Sequence, residues 1–330
     1  MVSIAIIGAG MAGLTLAHKL KNVANVTIFE KKKVAGGRMR SKQCGGYTFD
    51  HGAQFFTVRT TMFADFLRPL QENGVVEEWR GRFVEFSGSE ICSRRIWEND
   101  PSHFVGCPDM EAIGTYLAKG LNISLENQVE KLRADGQWNL INKDNQSIGH
   151  YDWVISTAPQ VQTTAIMPKS FQQLATADES QMTSCYSLML GFKKPLPLNF
   201  DAALVKNMDI SWISVNSSKP GRNAGYMLLV HSTNKWSDGH NQEDEESVIQ
   251  YLCSQLQQVI GHDVTGADCT LLKHWPYANM KKRKANKYYL DRTLQLAACG
   301  DWCIQGRVEA AFLSAHYLAD ELLRSGMIGS

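Results

Sequence analysis

Ser3-Ile4-Ala5-Ile6-Ile7-Gly8-Ala9-Gly10-Met11-Ala12-Gly13 begins as a short branched apolar run and ends in a glycine pattern. The run reads as a central parallel strand buried on both faces. A helical pattern carrying Leu14, Leu16, Ala17 and Leu20 follows, and Val26-Thr27-Ile28-Phe29 forms a second strand ending on Glu30, 22 positions after Gly8. Gly8 permits the tight turn, Gly10 lets a pyrophosphate approach the backbone, and Gly13 lets helix and strand pack closely. Phosphates then meet the free N–H groups of the first helical turn, from Met11 and Ala12 onward, and the positive end of the helix dipole. Glu30 accepts from ribose hydroxyls and repels a 2′-phosphate. Strand, glycines, helix, strand and acid in this order predict a bound adenine dinucleotide. Lys31 beside the acid is a further candidate at the cofactor, in a run, Lys31 to Lys33, that otherwise reads as solvated.

The rest of the chain bounds the possibilities. At 330 residues, 44% hydrophobic and 20% charged, it is long enough for two modest domains and is not disordered. A net charge of +1 gives no electrostatic reason to expect nucleic acid or an anionic membrane as partner. Lys281-Lys282-Arg283-Lys284 reads as a solvated loop. No apolar run reaches the roughly 18 residues of a membrane span, and the glycine-punctuated N-terminus reads as folded structure rather than a signal peptide. Eight dispersed cysteines without a CxxC pair read as reduced thiols in a cytoplasmic protein. The nine histidines show no HxxxH or HExxH spacing, so no metal site is expected.

After Glu30 the chain runs into Gly36-Gly37-Arg38, and then through Asp50-His51-Gly52-Ala53-Gln54-Phe55-Phe56. The first stretch resembles the flavin amine oxidase and renalase-like superfamily, and the second resembles renalase and its bacterial relatives. The resemblance implies non-covalent FAD, with Gly37 and Arg38 folding over the pyrophosphate. Gly52 and Ala53 allow close approach to a flat ring, Gln54 offers it a donor and an acceptor, and Phe55 and Phe56 supply apolar wall. His51 reads as a structural histidine in a tight turn rather than as a base.

At the other end, the strand Leu294 to Ala298 leads into Cys299-Gly300-Asp301-Trp302 and a helix from about Gly306 with Val308, Ala311, Phe312, Ala315, Ala319 and Leu322 on one face. This is similar to the closing Gly-Asp motif of flavoproteins with two dinucleotide folds. It implies that Gly300 and Asp301 meet the ribityl or phosphate region. The helix N-terminus near Val308 would face the flavin N1–C2=O edge and stabilise the reduced anion. Strands at Ser124 to Leu132, Trp138 to Ile141 and Asp152 to Ser156 and a helix over Pro108 to Lys119 complete the layout, with Val129 set to meet the adenine through its backbone. Between about 161 and 284 the pattern turns to strands (184–192, 210–215, 226–231, 269–275) and one helix, 245–259. The expected fold is therefore α/β: a Rossmann-type FAD domain of the p-hydroxybenzoate hydroxylase-like kind, 1–78, 104–160 and 285–330. A mostly antiparallel substrate domain, 79–103 and 161–284, accompanies it. The stretches 216–222, 230–237 and 274–278 also look like bacterial renalase-type proteins.

There is no second GxGxxG for a separate NAD domain and no G-x-S-x-G elbow. Chemistry is thus delegated to the flavin. The resemblance implies an oxidase that takes hydride from a 2- or 6-dihydro isomer of NAD(P) to flavin N5 and passes the electrons to O2 as hydrogen peroxide. Such a donor needs no strong base. His274, Trp275, Tyr277 and Gln54 are the candidate residues at the ring. Two alternatives remain: an oxidase, dehydrogenase or desaturase acting on a small amine or a related substrate, and a flavin-binding scaffold without catalysis.

Overall fold

The computed structural model describes residues 1–98, 101–175, 182–280 and 286–328, so the Lys281–Lys284 run lies outside the described residues. The chain divides into two compact units, one of Met1–Arg38, Gly114–Met182 and Met280–Ser330, the other of Met39–Ile113 and Thr183–Asn279.

In the first unit the run Ser3–Ile7 lies at the centre of a six-stranded sheet, parallel to Asn25–Phe29 on one side and Trp153–Ser156 on the other. Ile123–Ser124 extends it beyond Asn25–Phe29, and Leu296–Ala298 and the antiparallel Tyr289–Asp291 close the far side. Ile4, Ala5 and Ile6 are fully buried, as a strand covered on both faces requires. The helix Met11–Leu20 buries nearly its whole length, and Lys19 at its end meets Asp320 of the helix Val308–Arg324 at 2.6 Å. A three-stranded antiparallel sheet, Val129–Asp135, Gln137–Asn142 and Ser147–Tyr151, packs Val129 and Leu140 into a core with Ile7, Phe29 and Trp302. The single strand expected from Ser124 to Leu132 is two. The chain leaves the parallel sheet at Ser124, turns through Glu126 at φ 55°, and starts the antiparallel sheet at Val129.

The second unit is built on a seven-stranded sheet. Its order is Cys269–Met280, Met182–Phe192, Tyr226–Ser232, Ile210–Val215, Ala202–Lys206, Arg82–Ser87 and Glu90–Ile96. Its resolved pairings are antiparallel except that of Ala202–Lys206 with Arg82–Ser87. The helix Glu245–Ile260 covers one face, with Val248, Leu252, Leu256 and Val259 against Leu188, Leu190, Leu228 and Val230. Period-two alternation leaves Ser187, Trp212, Ser214 and His231 on the other face. A small sheet of Phe56–Thr57, His103–Gly106 and Val76–Glu78 and a hairpin, Lys42–Cys44 with Tyr47–Phe49, belong to the same unit.

Two expectations are corrected here. The unit boundaries differ: 39–78 and 104–113 fold with the large-sheet unit, because Asp50 ties them to the 216–222 loop. Residues 161–175 fold with the parallel sheet, because Met167, Phe171 and Leu174 pack into its core. The cysteines are not all free. Cys44 and Cys269 form a disulfide across a sequence separation of 225, a distance at which no spacing rule could pair them. Among the described residues no helix is long and apolar enough to cross a membrane, and no group of His, Cys, Asp and Glu could hold a metal ion.

Candidate functional site

The glycine pattern of the first unit forms a cradle. Gly8 takes φ +104°, and a Cβ on Gly13 would lie 2.0 Å from the Gly8 carbonyl oxygen, so helix and strand approach as closely as backbone allows. Gly10 caps the helix with no side-chain acceptor, which leaves the first-turn N–H groups at Met11 and Ala12 for an anion. Gly37, at φ +59°, would place a Cβ 3.1 Å from Gly10 Cα, so the Gly-Gly-Arg loop lies directly against the cradle. Glu30 is buried at the end of its strand, its carboxylate accepting from Ala9 N at 3.0 Å and Lys32 N at 2.9 Å. Two backbone donors thus fix the acid where a ribose is expected.

Other residues expected at the cofactor are placed as follows. Arg38 and Asp301 form an ion pair with each other, Asp301 almost fully buried and Arg38 partly so. The pair joins the loop over the cradle to the Gly300-Asp301 turn. Val308 opens the last helix after Arg307, which provides no side-chain cap. Lys31 is exposed and donates to Gln162 at 3.2 Å. Val129 is buried in the core at the start of its strand, its backbone opposite Asn142.

In the second unit the 50–55 stretch lies on the open face of the large sheet. The His51 carbonyl accepts from Ser187 Oγ at 2.7 Å and Trp275 Nε1 at 2.8 Å, and the His51 ring stacks on Trp275 at 5.1 Å between centroids. Burial, then the charges of Arg40, Lys273 and Lys42, push the His51 pKa down to about 4, with Asp50 opposing. His231 is pushed down to about 3, chiefly by burial and then by Lys219. Both rings are therefore uncharged at neutral pH.

Beneath them lies a buried ionic hub. Asp50 Oδ2 accepts from Lys219 Nζ at 3.0 Å and Arg222 Nη2 at 2.5 Å, all three side chains at most 1% exposed. Asp50 Oδ1 accepts from Ser41 Oγ and Met110 N. Burial alone would raise the Asp50 pKa, but Lys219 and Arg222 overcome it and hold the carboxylate below its usual range. Burial pushes Lys219 down to about 8 against the pull of Asp50.

The structure separates the candidate ring residues. Gln54 turns its amide inward: Nε2 donates to Asp50 O and to Gly52 O at 3.1 Å, and Oε1 accepts from Ser214 Oγ at 2.9 Å and Lys219 Nζ at 3.3 Å. It braces the 50–54 turn and has no amide group left over for a ring. His274 and Trp275, adjacent in one strand, point to opposite faces. His274 stacks on Tyr186 on the helix-covered side at 4.4 Å, away from His51 and Trp275, while strand parity puts Tyr277 with Trp275. Phe55 joins a cluster of rings with Trp97 at 5.2 Å, His103 at 4.8 Å and Trp212 at 5.5 Å. Lys219, Arg222 and His231 carry no role in the sequence reading. The signal for them in the sequence was the resemblance of the stretches 216–222 and 230–237, which was given no chemical role.

Residues 84–323 match the model of the flavin-containing amine oxidoreductase family, and residues 6–70 match that of an NAD(P)-binding Rossmann-like domain. The chain belongs to the flavin-containing amine oxidoreductases. Local stretches of this oxidoreductase are similar to curated proteins. They match a 1-hydroxycarotenoid 3,4-desaturase of Flavobacterium sp. (strain P99-3), 46% identical over 54 residues, 16% of this chain and 11% of that one. They also match coproporphyrinogen III oxidase of Staphylococcus aureus (strain NCTC 8325 / PS 47), 31% over 93 residues, 27% of this chain and 20% of that one. The match thus spans a fifth or less of these relatives. Solved structures share the fold across the chain. A protoporphyrinogen oxidase-type protein of Exiguobacterium sp. 255-15 has TM-score 0.78 at 12% identity, over 98% of this chain and 99% of that one. Putrescine oxidase bound to putrescine has TM-score 0.72 at 11% identity, over 98% and 99%.

The cofactor of this amine oxidoreductase is FAD. The chain's own residues fit it: a cradle that a Cβ at Gly13 would fill, two helix N-termini without side-chain caps, and a fixed acid at the end of the second strand.

Proposed function

We propose that this flavoenzyme is a renalase-like oxidase of misreduced nicotinamide dinucleotides, taking hydride from the 2- or 6-dihydro isomers of NAD(P). When bound, FAD supplies the two-electron acceptor, with dioxygen as terminal oxidant and hydrogen peroxide as product. The observation that carries this reading is the uncharged His51 ring stacked on Trp275. Trp275, half-buried and backed by that ring, offers a planar, neutral face to a planar, neutral dihydropyridine. A dihydropyridine isomer becomes aromatic on losing hydride and needs no base to remove a proton first. An alkylammonium needs a proton acceptor or a carboxylate partner, and the Asp50 carboxylate under this face is already neutralised by Lys219 and Arg222. The ring cluster of Phe55, Trp97, His103 and Trp212 favours the second reading, an amine held among aromatic faces.

Anaerobic mixing with borohydride-reduced NAD⁺, using 4-dihydro NADH as control, separates the two. Bleaching of the flavin by the 2- and 6-isomers alone, with peroxide on admitting air, is the expected result. No bleaching by any isomer, with bleaching by a member of an amine panel, overturns it in favour of the second reading.

A further inference from the structure

We infer that the Cys44–Cys269 disulfide is a reversible redox modification site that sets the position of the Trp275 face. This deepens the substrate reading above and rests on it for the role of Trp275. The bond joins the two segments that meet at His51. Cys44 ends the hairpin strand Lys42–Cys44, seven residues before His51, and Cys269 opens the strand Cys269–Met280, six residues before Trp275. Trp275 Nε1 donates to the His51 carbonyl at 2.8 Å, so the disulfide and this hydrogen bond close one ring of chain through both segments.

The two segments depend on the disulfide to different degrees. The hairpin side is anchored without it. Tyr47 and Phe49 pack with Met189, Met227 and Leu229, Asp50 holds Lys219 and Arg222, and Ser187 Oγ donates to the His51 carbonyl at 2.7 Å. Cys269–Met280 instead lies at the edge of its sheet, beside Met182–Phe192 alone among the described residues. Opening the bond therefore leaves His51 in place and loosens Trp275. Cys44 is half-buried and followed by the exposed Gly45 and Gly46, so it is the sulfur that a small thiol meets first.

In the reducing direction a dithiol thiolate attacks Cys44 Sγ, and Cys269 leaves as a thiolate and takes a proton. The second thiol of the reductant then displaces Cys44, and the reductant ends as a disulfide. Hydrogen peroxide, the product named above, reverses this. Cys44 takes one oxygen as a sulfenic acid while water leaves, and Cys269 attacks that sulfur to re-form the bond and release a second water. Burial pushes the Cys185 thiol up to about 12 and raises Cys299 and Cys303 as well, so these thiols stay inert.

The test uses holoenzyme carrying Cys92→Ser, which removes the exposed free thiol, as isolated and after dithiothreitol and anaerobic desalting. The first readout is solvent exchange of the Trp275 indole N–H, assigned by nuclear magnetic resonance with Trp275→Phe. Reduction should speed it about tenfold or more. The indoles of Trp138 and Trp302, which donate to Leu294 O at 2.7 Å and Ala158 O at 3.0 Å, should keep their rates. The second readout is anaerobic flavin bleaching by the 2- and 6-dihydro isomers. Its apparent Kd should rise roughly fivefold on reduction with the limiting rate unchanged. One equivalent of hydrogen peroxide should restore both readouts, and C44S/C269S should show the reduced values with or without dithiothreitol. Equal Trp275 exchange in the two states, an equal rise at all three indoles, or a dithiothreitol response that persists in C44S/C269S overturns the proposal. Faster Trp275 exchange with an unchanged Kd overturns the control of the substrate face. If no donor bleaches the flavin, the substrate reading has failed, and the exchange readout alone decides the switch.

Discussion

Asp50 shows how one side chain organises a site it need not touch. Its carboxylate joins the 39–56 stretch, the turn before the helix Glu111–Ala118 and the 216–222 loop through Ser41, Met110, Lys219 and Arg222. Asp50→Ala leaves two buried cations without a counter-charge, which should cost about 3–5 kcal/mol in urea unfolding. Asp50→Asn combined with Lys219→Met should recover part of that loss, since it removes a cation together with the anion. An additive double variant would argue that shape, and not charge, holds the hub. His51 makes a second residue-scale prediction. Its folded pKa, about 4, lies below its ordinary value of 6.5, so the unfolded chain binds the proton more tightly. The stability that follows is complete above pH 6.5 and is lost as pH falls through 4, of order 3 kcal/mol for this group. Unfolding free energies measured from pH 8 to 4.5 should fall with a slope that His51→Gln reduces by about one proton; an unchanged slope contradicts it.

Elements differ in how openly the sequence announces them. Ser3–Ile7, the cradle and the acid at Glu30 are legible because each rests on local rules: branched apolar residues for a buried strand, glycines where a Cβ collides, an acid at a strand end. Contacts made over long sequence distances are not legible. Gln54 reads as a ring contact until Ser214 and Lys219 arrive from another part of the chain to occupy its carbonyl. His274 and Trp275 read as neighbours in a pocket, but the strand's pleat sends one to Tyr186 and the other to His51. The disulfide is the extreme case, because Cys44 and Cys269 become neighbours only when hairpin and sheet dock. Alkylation of unreduced, denatured protein should label six cysteines, with Cys44 and Cys269 unlabelled. Cys44→Ser with Cys269→Ser should lower stability by about 2–4 kcal/mol. Labelling of all eight cysteines in the unreduced sample removes the bond from the native structure.

At the scale of the whole molecule, both units are discontinuous, and the chain passes between them after Arg38, Ile113, Met182 and Asn279. The parallel sheet needs Leu296–Ala298 beside Trp153–Ser156, and the second uncapped helix begins only at Val308. A ribosome therefore releases the glycine fingerprint before the strand that completes its sheet, with all of the other unit emerging in between. Flavin capture therefore waits for the segment that follows Leu296. Nascent chains stalled before Leu296 would display the whole Gly8–Gly13 signature and still emerge colourless.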